Sequence, residues 1–78
     1  MIQQKIKQDE IDIGLNIRRI RKEKGMGQTE LAIKLQLSGT DITREALVKI
    51  ERGIQHIYAS QLRAIRDALE TTYEELLK

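Results

Sequence analysis

Apolar residues recur along this chain at helical spacing. Ile13, Ile17 and Ile20 fall at i, i+4 and i+7, which predicts a one-faced helix opening after Asp12 and ending at Gly25. Lys22 and Lys24 sit at its C-terminal end, where cations suit the helix dipole. Leu31, Ala32 and Leu35 form the next stripe, within QTELAIKLQL, with Gly27 at the N-cap position and an end near Leu37. SGTD (Ser38 to Asp41) is dense in turn formers. A third helix follows with Leu47 and Ile50 inward and Gly53 just past its end, capped by Thr43 or, alternatively, by Asp41. IQHIY (Ile54 to Tyr58) reads as a connecting loop. Ser60 then caps a fourth helix whose inward residues are Leu62, Ile65 and Leu69. Thr72 and Glu75 have capping-box spacing and open a short fifth helix with Tyr73, Leu76 and Leu77. The pattern gives five helices, short connections and no strand: an all-α fold. Residues 1–11 are polar with scattered isoleucines, and are read as a partly disordered arm or a helical extension, leaving 12–78 as the domain.

Length and composition agree. At 78 residues the chain is one domain with a modest core. Proline, cysteine, tryptophan and phenylalanine are absent, and good helix formers dominate. Without cysteine there is no disulfide and no Cys-based metal site. No uncharged stretch approaches the ~20 residues a membrane span needs. MIQQKIKQDEID has no signal-peptide core. A soluble cytoplasmic protein with no membrane association is expected. The formal net charge is only +2, but it is unevenly spread. Ile13 to Gly27 holds Arg18, Arg19, Arg21, Lys22 and Lys24 against Glu23 alone. A local basic cluster on a nearly neutral chain points to an anionic partner or to a solvated helix face.

Parts for catalysis are missing. His56 is the only histidine, so Ser-His and Cys-His nucleophilic pairs have no material. Glu74 and Glu75 are adjacent on a helix and point to different sides, so they are not an acid–base pair. Gly25-Met26-Gly27 lacks the third glycine and the preceding strand of a dinucleotide loop. No enzyme activity, cofactor, metal or small-molecule ligand is expected. Helices two and three instead form a helix-turn-helix candidate. Such a unit places its second helix in the DNA major groove, where N-terminal side chains reach base edges. Thr43, Arg44 and Glu45 lead that helix here, with Lys49 following.

IGLNIRRIRKEKGMGQTELAIKL, ITREALVKIERG and SQLRAIRDALETTYEELL together resemble the helix-turn-helix of Cro and phage-repressor proteins, the XRE family. The resemblance covers about residues 13–77 and rests on the order of its marks: Arg21-x-x-Lys24-Gly25, Gln28 with Leu31-Ala32 and Leu35, Ile50-Glu51-Arg52-Gly53, and Glu74-Glu75-Leu76-Leu77. It implies a five-helix, lambda-repressor-like domain that binds double-stranded, palindromic operator DNA, usually as a homodimer, and regulates transcription as a repressor. An antitoxin-like or protein-interaction module of the same fold, with weak or no DNA binding, is the alternative. It also implies that Gln28 touches a phosphate, that Arg44, Glu45, Val48 and Lys49 face the groove, and that Arg21 pairs with Glu51. Elementary electrostatics supports the pair, because a carboxylate at the core-facing end of helix three needs a cationic partner.

Phosphate contacts position a protein and base contacts specify the site. The expected phosphate contacts are Arg21, Lys22, Gln28, Thr29, Thr43, Gln55 and His56. The expected base contacts are Arg44, to guanine O6 and N7, Glu45, Val48, to a thymine methyl, and Lys49. Glu45 either accepts from cytosine N4 or neutralises Arg44. Tyr73, Leu76 and Leu77 are the expected pairing surface, or Leu76 and Leu77 close the monomer core. The turn departs from the family pattern. LSGTDIT carries about five residues more than the usual tight turn. Ser38, Gly39 and Thr40 then either add backbone N–H contacts to phosphate or lift helix three to a new angle.

Overall fold

Each apolar stripe becomes the buried side of a helix. The computed structural model describes residues 5–6 and 11–78. Its elements, in chain order, are β1 (Lys5–Ile6), α1 (Ile13–Glu23), α2 (Gln28–Leu37), α3 (Arg44–Glu51), β2 (Ile57–Tyr58), α4 (Ala59–Leu69) and α5 (Tyr73–Leu76). Ile13, Ile17 and Ile20 of α1 meet Leu31, Ala32 and Leu35 of α2, Leu47 and Ile50 of α3, and Leu62, Ile65 and Leu69 of α4 in one aliphatic core. No aromatic ring enters it. Met26 packs against its edge from the α1–α2 connection.

Two of the five described helices begin at a threonine side-chain cap. Thr43 Oγ1 accepts from the Ala46 N–H at 3.1 Å, so Thr43 and not Asp41 caps α3. Thr72 Oγ1 accepts from the Glu75 N–H at 3.1 Å and opens α5. Asp12 holds the N-cap position of α1, but its side chain makes no cap bond. Ser60 lies inside the first turn of α4, whose N-cap position is Tyr58. There the Gln61 side chain reaches back and accepts the Tyr58 N–H at 2.8 Å.

Two short strands replace expected loop and arm. Lys5–Ile6 pairs antiparallel with Ile57–Tyr58, Lys5 opposite Tyr58 and Ile6 opposite Ile57. Ile57 is fully buried and Ile6 packs partly against the core. Burial of these two isoleucines pulls both segments into extended pairing. Residues 1–4 and 7–10 of the expected arm lie outside the described residues.

The long turn has a definite architecture. At the end of α2 the Thr40 N–H donates to Leu35 O (2.9 Å) and the Gly39 N–H to Gln36 O (3.0 Å). This is a Schellman cap, with Gly39 in the left-handed region at φ +91°. The chain then turns back inward at Ile42, which is 1% exposed and joins the core. Gln36 Nε2 donates to Ile42 O at 3.2 Å and ties the turn to α2. Two further helices end in the same way, with Gly25 and Gly53 in the left-handed region. At the end of α4 Glu70 takes that conformation (φ 52°), which is strained for a residue with a Cβ.

Gly14 sets the distance between α1 and α3. A Cβ built there would lie 2.1 Å from Ile50 O and 2.7 Å from Glu51 O, both backbone atoms. Gly14→Ala should therefore force the helices apart and destabilise the domain by about 1–3 kcal/mol or more. Gly27, with open space around it, is the control. Gly27→Ser should leave stability unchanged or raise it by a few tenths of a kcal/mol through capping. Urea denaturation of the two variants checks both signs.

Candidate nucleic-acid interface

Helix α3 divides sharply between an inner and an outer side. Leu47, Ile50 and Glu51 are buried, Ala46 and Val48 are half-buried, and Arg44, Glu45 and Lys49 are exposed. Positions 44, 48 and 52 follow one another at i+4 and form a stripe along the outer side, with Glu45 and Lys49 beside it. Among the described residues, Arg44 and Lys49 make no ion pair, so their charges are directed to solvent. Thr43 uses its hydroxyl oxygen as the cap acceptor, yet the residue is exposed and its O–H remains available to donate.

The inner side is locked by charge. Arg21 Nε donates to Glu51 Oε2 at 2.8 Å and Arg21 Nη2 to Glu51 Oε1 at 2.8 Å, a bidentate fork. Arg21 is 6% exposed and Glu51 3%. Arg21 Nη1 donates to Met26 O at 2.9 Å, and Gln28 Nε2 donates to Glu51 Oε1 at 3.1 Å. One cluster thus ties α1, the α1–α2 connection, the start of α2 and the end of α3 together. Among the described residues no buried side-chain nitrogen or oxygen lacks a partner.

This geometry corrects one expectation. Arg21 was expected both to pair with Glu51 and to touch a phosphate. The residue is 6% exposed and its guanidinium gives three of its five N–H groups to Glu51 and Met26, so it offers DNA little surface. Gln28 differs. It is half-buried at the first position of α2, and its amide has a second N–H beyond the one given to Glu51. Thr29 is exposed beside it and Lys22 is exposed on α1. Gln55 and His56 lie in the loop after α3, with Ile54 and Tyr58 lining the same shallow depression; His56 is exposed and Gln55 half-buried.

Four backbone donors of the turn are already engaged. The N–H groups of Ser38, Gly39, Thr40 and Ile42 all donate to carbonyls of α2 or of the turn itself. Of the two readings of LSGTDIT, added phosphate contacts from the amides of Ser38, Gly39 and Thr40 are disfavoured by this bonding.

A cleft between α1 and α3 was not foreseen. Asp12, Leu15, Arg18 and Lys22 line one wall, Val48, Arg52 and Gly53 the other, and Gln28 closes its end above the Arg21–Glu51 pair. Arg18 and Arg52, which line it, were not among the expected contacts. The signal was present, since Arg18 precedes Lys22 by four and Arg52 follows Val48 by four.

At the other end of the molecule, α5 lies on α1. Asn16 Nδ2 donates to Leu76 O at 2.8 Å, and Arg19 pairs with Glu75 at 3.6 Å. Leu76 is 0% exposed, so it closes the monomer core and cannot form a pairing surface. Tyr73 (37%) and Leu77 (38%) do remain accessible. The Arg66 guanidinium sits 4.5 Å from the centre of the Tyr73 ring. Its hydrogen bond to Asp67 raises its pKa further above the ordinary value, so it is a cation at any working pH.

Comparison with known proteins places this geometry. The helix-turn-helix family profile matches residues 17–76. No curated protein matches the chain in sequence. Among solved structures, the restriction-modification controller protein C.AhdI from Aeromonas hydrophila is 27% identical with a TM-score of 0.72, over 85% of this chain and 88% of that one. The wild-type controller protein C.Esp1396I is 30% identical with a TM-score of 0.70, over 83% of this chain and 82% of that one. The same controller as a tetramer bound to its natural 35 base-pair operator is 29% identical with a TM-score of 0.68, over 86% of this chain and 92% of that one.

Removing one partner of the buried pair leaves the other charged and unsolvated. Glu51→Ala should destabilise the domain by roughly 3–5 kcal/mol. Thermal melting should show a drop of more than about 10 °C. An unchanged melting temperature would show that the pair contributes nothing to the fold.

Proposed function

The chain belongs to the XRE-type helix-turn-helix family of DNA-binding transcriptional regulators, and on that premise we propose that it is an operator-binding repressor acting as a homodimer in the cytoplasm. The family is one of regulators, not of enzymes. No described helix is long and apolar enough to cross a membrane.

The division of α3 carries the reading. Its inner side is fixed to α1 and α2 by Leu47, Ile50 and the Arg21–Glu51 pair, while Arg44, Glu45, Val48 and Lys49 are held outward. A helix held in this way fits the major groove with its N-terminal residues at base edges. Arg44 forks onto guanine O6 and N7, Val48 meets a thymine methyl, and Glu45 and Lys49 read neighbouring edges. Lys22, Gln28, Thr29, Thr43, Gln55 and His56 hold the phosphates on either side. Domain limits follow the same logic: residues 12–78 form the DNA-binding unit and 1–11 an appended arm.

One monomer covers a short half-site, so affinity comes from two-fold pairing with half-sites about 34 Å apart. Tyr73 and Leu77 of α5 provide the pairing surface. The similarity to two restriction-modification controller proteins, one of them described as a tetramer on its operator, supports regulation by concentration and operator arrangement. The rival reading, a protein-interaction module without DNA binding, is favoured by no particular observation beyond the mixed charge of α3.

Selection of bound sequences from a random duplex pool should return a palindrome. On that duplex Arg44→Ala should relax preference at one base pair, by roughly 1–3 kcal/mol. Lys22→Ala should weaken selected and scrambled duplexes alike. Equal losses on both duplexes for Arg44→Ala would end its base-reading role, and retention on DNA that ignores salt would favour the interaction module.

In light scattering the protein should show about twice the 9.0 kDa chain mass. Leu77→Lys should shift it to a monomer without lowering its melting temperature. A monomer at high concentration in the unmodified protein would overturn the dimer.

A further inference from the structure

The cleft between α1 and α3 has a chemistry of its own. Arg18 and Lys22 lie one turn apart on α1, both exposed, and face Arg52 across the cleft. Its floor is the Arg21–Glu51 pair, already neutralised internally. Asp12, just before the start of α1, is the sole uncompensated carboxylate on its walls. Among the described residues, none of Arg18, Lys22 and Arg52 has an ion-pair partner. Three cations are thus collected from two helices around a neutral floor.

The cleft is also continuous with the outward stripe of α3. Arg44, Val48 and Arg52 follow each other at i+4, so the stripe starts at the helix N-terminus and ends inside the cleft. Val48 belongs to both surfaces. A duplex whose major groove receives the start of α3 carries a sugar-phosphate strand past the other end.

We propose that the Arg18–Lys22–Arg52 cleft is a clamp for the phosphodiester backbone flanking the base-contacting site. It adds Arg18 and Arg52 to the contacts and makes α1 part of the DNA-binding surface. The inference rests on the DNA-binding reading and deepens it. Two guanidiniums on opposite walls suit adjacent phosphates, because each presents a planar fork to phosphate oxygens. The apolar faces of Leu15 and Val48 fit the deoxyribose between them. The clamp reads no base. Its contribution is affinity on any sequence, together with fixed register for α3.

The test uses the whole protein with Arg18→Gln, Lys22→Gln and Arg52→Gln, singly and combined. Binding is measured on the selected duplex and a scrambled one over a salt series. Each phosphate contact contributes about 0.9 to the slope of log K against log salt. The triple variant should therefore show a slope shallower by about 2–3, with equal losses on the two duplexes and an unchanged melting temperature. An unchanged slope would overturn the clamp, as would a loss confined to the selected duplex. Inorganic phosphate perturbing the NMR signals of Arg18 and Arg52 while the DNA slope stays unchanged would also overturn it, assigning the cleft to a free anion. Arg44→Ala keeps the two levels apart. If it loses sequence preference while the triple variant keeps its slope, the clamp fails and the DNA-binding reading stands. If the unmodified protein binds neither duplex, the DNA-binding reading itself fails and the clamp falls with it.

Discussion

Everything outward on this domain depends on one inward interaction, the buried fork between Arg21 and Glu51. Two charges leave water there, and neither would be tolerated alone. Each is partnered: Glu51 by Arg21 and Gln28, Arg21 by Glu51 and the Met26 carbonyl. Because Glu51 must point inward, the rotation of α3 about its own axis is fixed. With 3.6 residues per turn, Leu47 falls on the same side as Glu51, and Glu45 and Lys49 are turned out, while Arg44 is exposed as the first residue of the helix. Gly14 supports this from α1, since only hydrogen fits between that helix and the carbonyls of Ile50 and Glu51. A buried ion pair gives less stability than an apolar pair of the same shape. Its value here is geometric, because the fork has a single satisfactory orientation.

The elongated turn shows how a helix pair tolerates inserted residues without losing its geometry. In a tight turn the connection itself dictates where the second helix starts. Here α2 is closed by its own Schellman cap at Gly39, and α3 is opened by its own cap at Thr43. Between them, Ile42 enters the core and takes over the anchoring. The angle of α3 is therefore set by Ile42, Leu47 and Ile50 against α1 and α2, not by the connection. The backbone amides of Ser38, Gly39, Thr40 and Ile42 are all occupied. What the turn can present to a partner is chiefly the exposed Asp41.

Most of the helical frame was legible because local physics decides it. The spacing of Ile13, Ile17 and Ile20 places α1, and Thr43 and Thr72 cap their helices through side-chain oxygens that accept the N–H three residues on. The Arg21–Glu51 pair was legible from the family resemblance, supported by the need to neutralise a carboxylate beside Ile50. The strands were not. Two residues are too few for alternation to register, and β1 exists only because the chain returns Ile57 to the core more than fifty residues later. Leu76 was ambiguous between core and surface because α5 is too short for periodicity to separate its sides. Arg21 was over-assigned for a related reason: sequence shows that a charge is present, not how many of its N–H groups are already used. Arg18 and Arg52 were overlooked since each looks like an ordinary solvated residue until α1 and α3 are brought side by side.

The net charge of +2 would rank this chain as a poor ligand for nucleic acid if charge acted only in total. Distribution matters more, since exposed charges further apart than about 8–10 Å are largely screened at physiological salt. Acidic residues are kept off the working side in two ways. Glu51 is neutralised internally, and Glu75 and Asp67 are engaged with Arg19 and Arg66. Arg18, Lys22, Arg44, Lys49 and Arg52 have no such partners among the described residues. Asp12 on the cleft wall and Glu45 are exceptions, Glu45 being an exposed carboxylate beside Arg44 on the side proposed to face the groove. Near phosphates its charge is unfavourable on every sequence, and only a base-edge donor such as cytosine N4 compensates it. A residue of that kind lowers affinity for wrong sites more than for the right one, which is how a small domain gains discrimination without a larger interface.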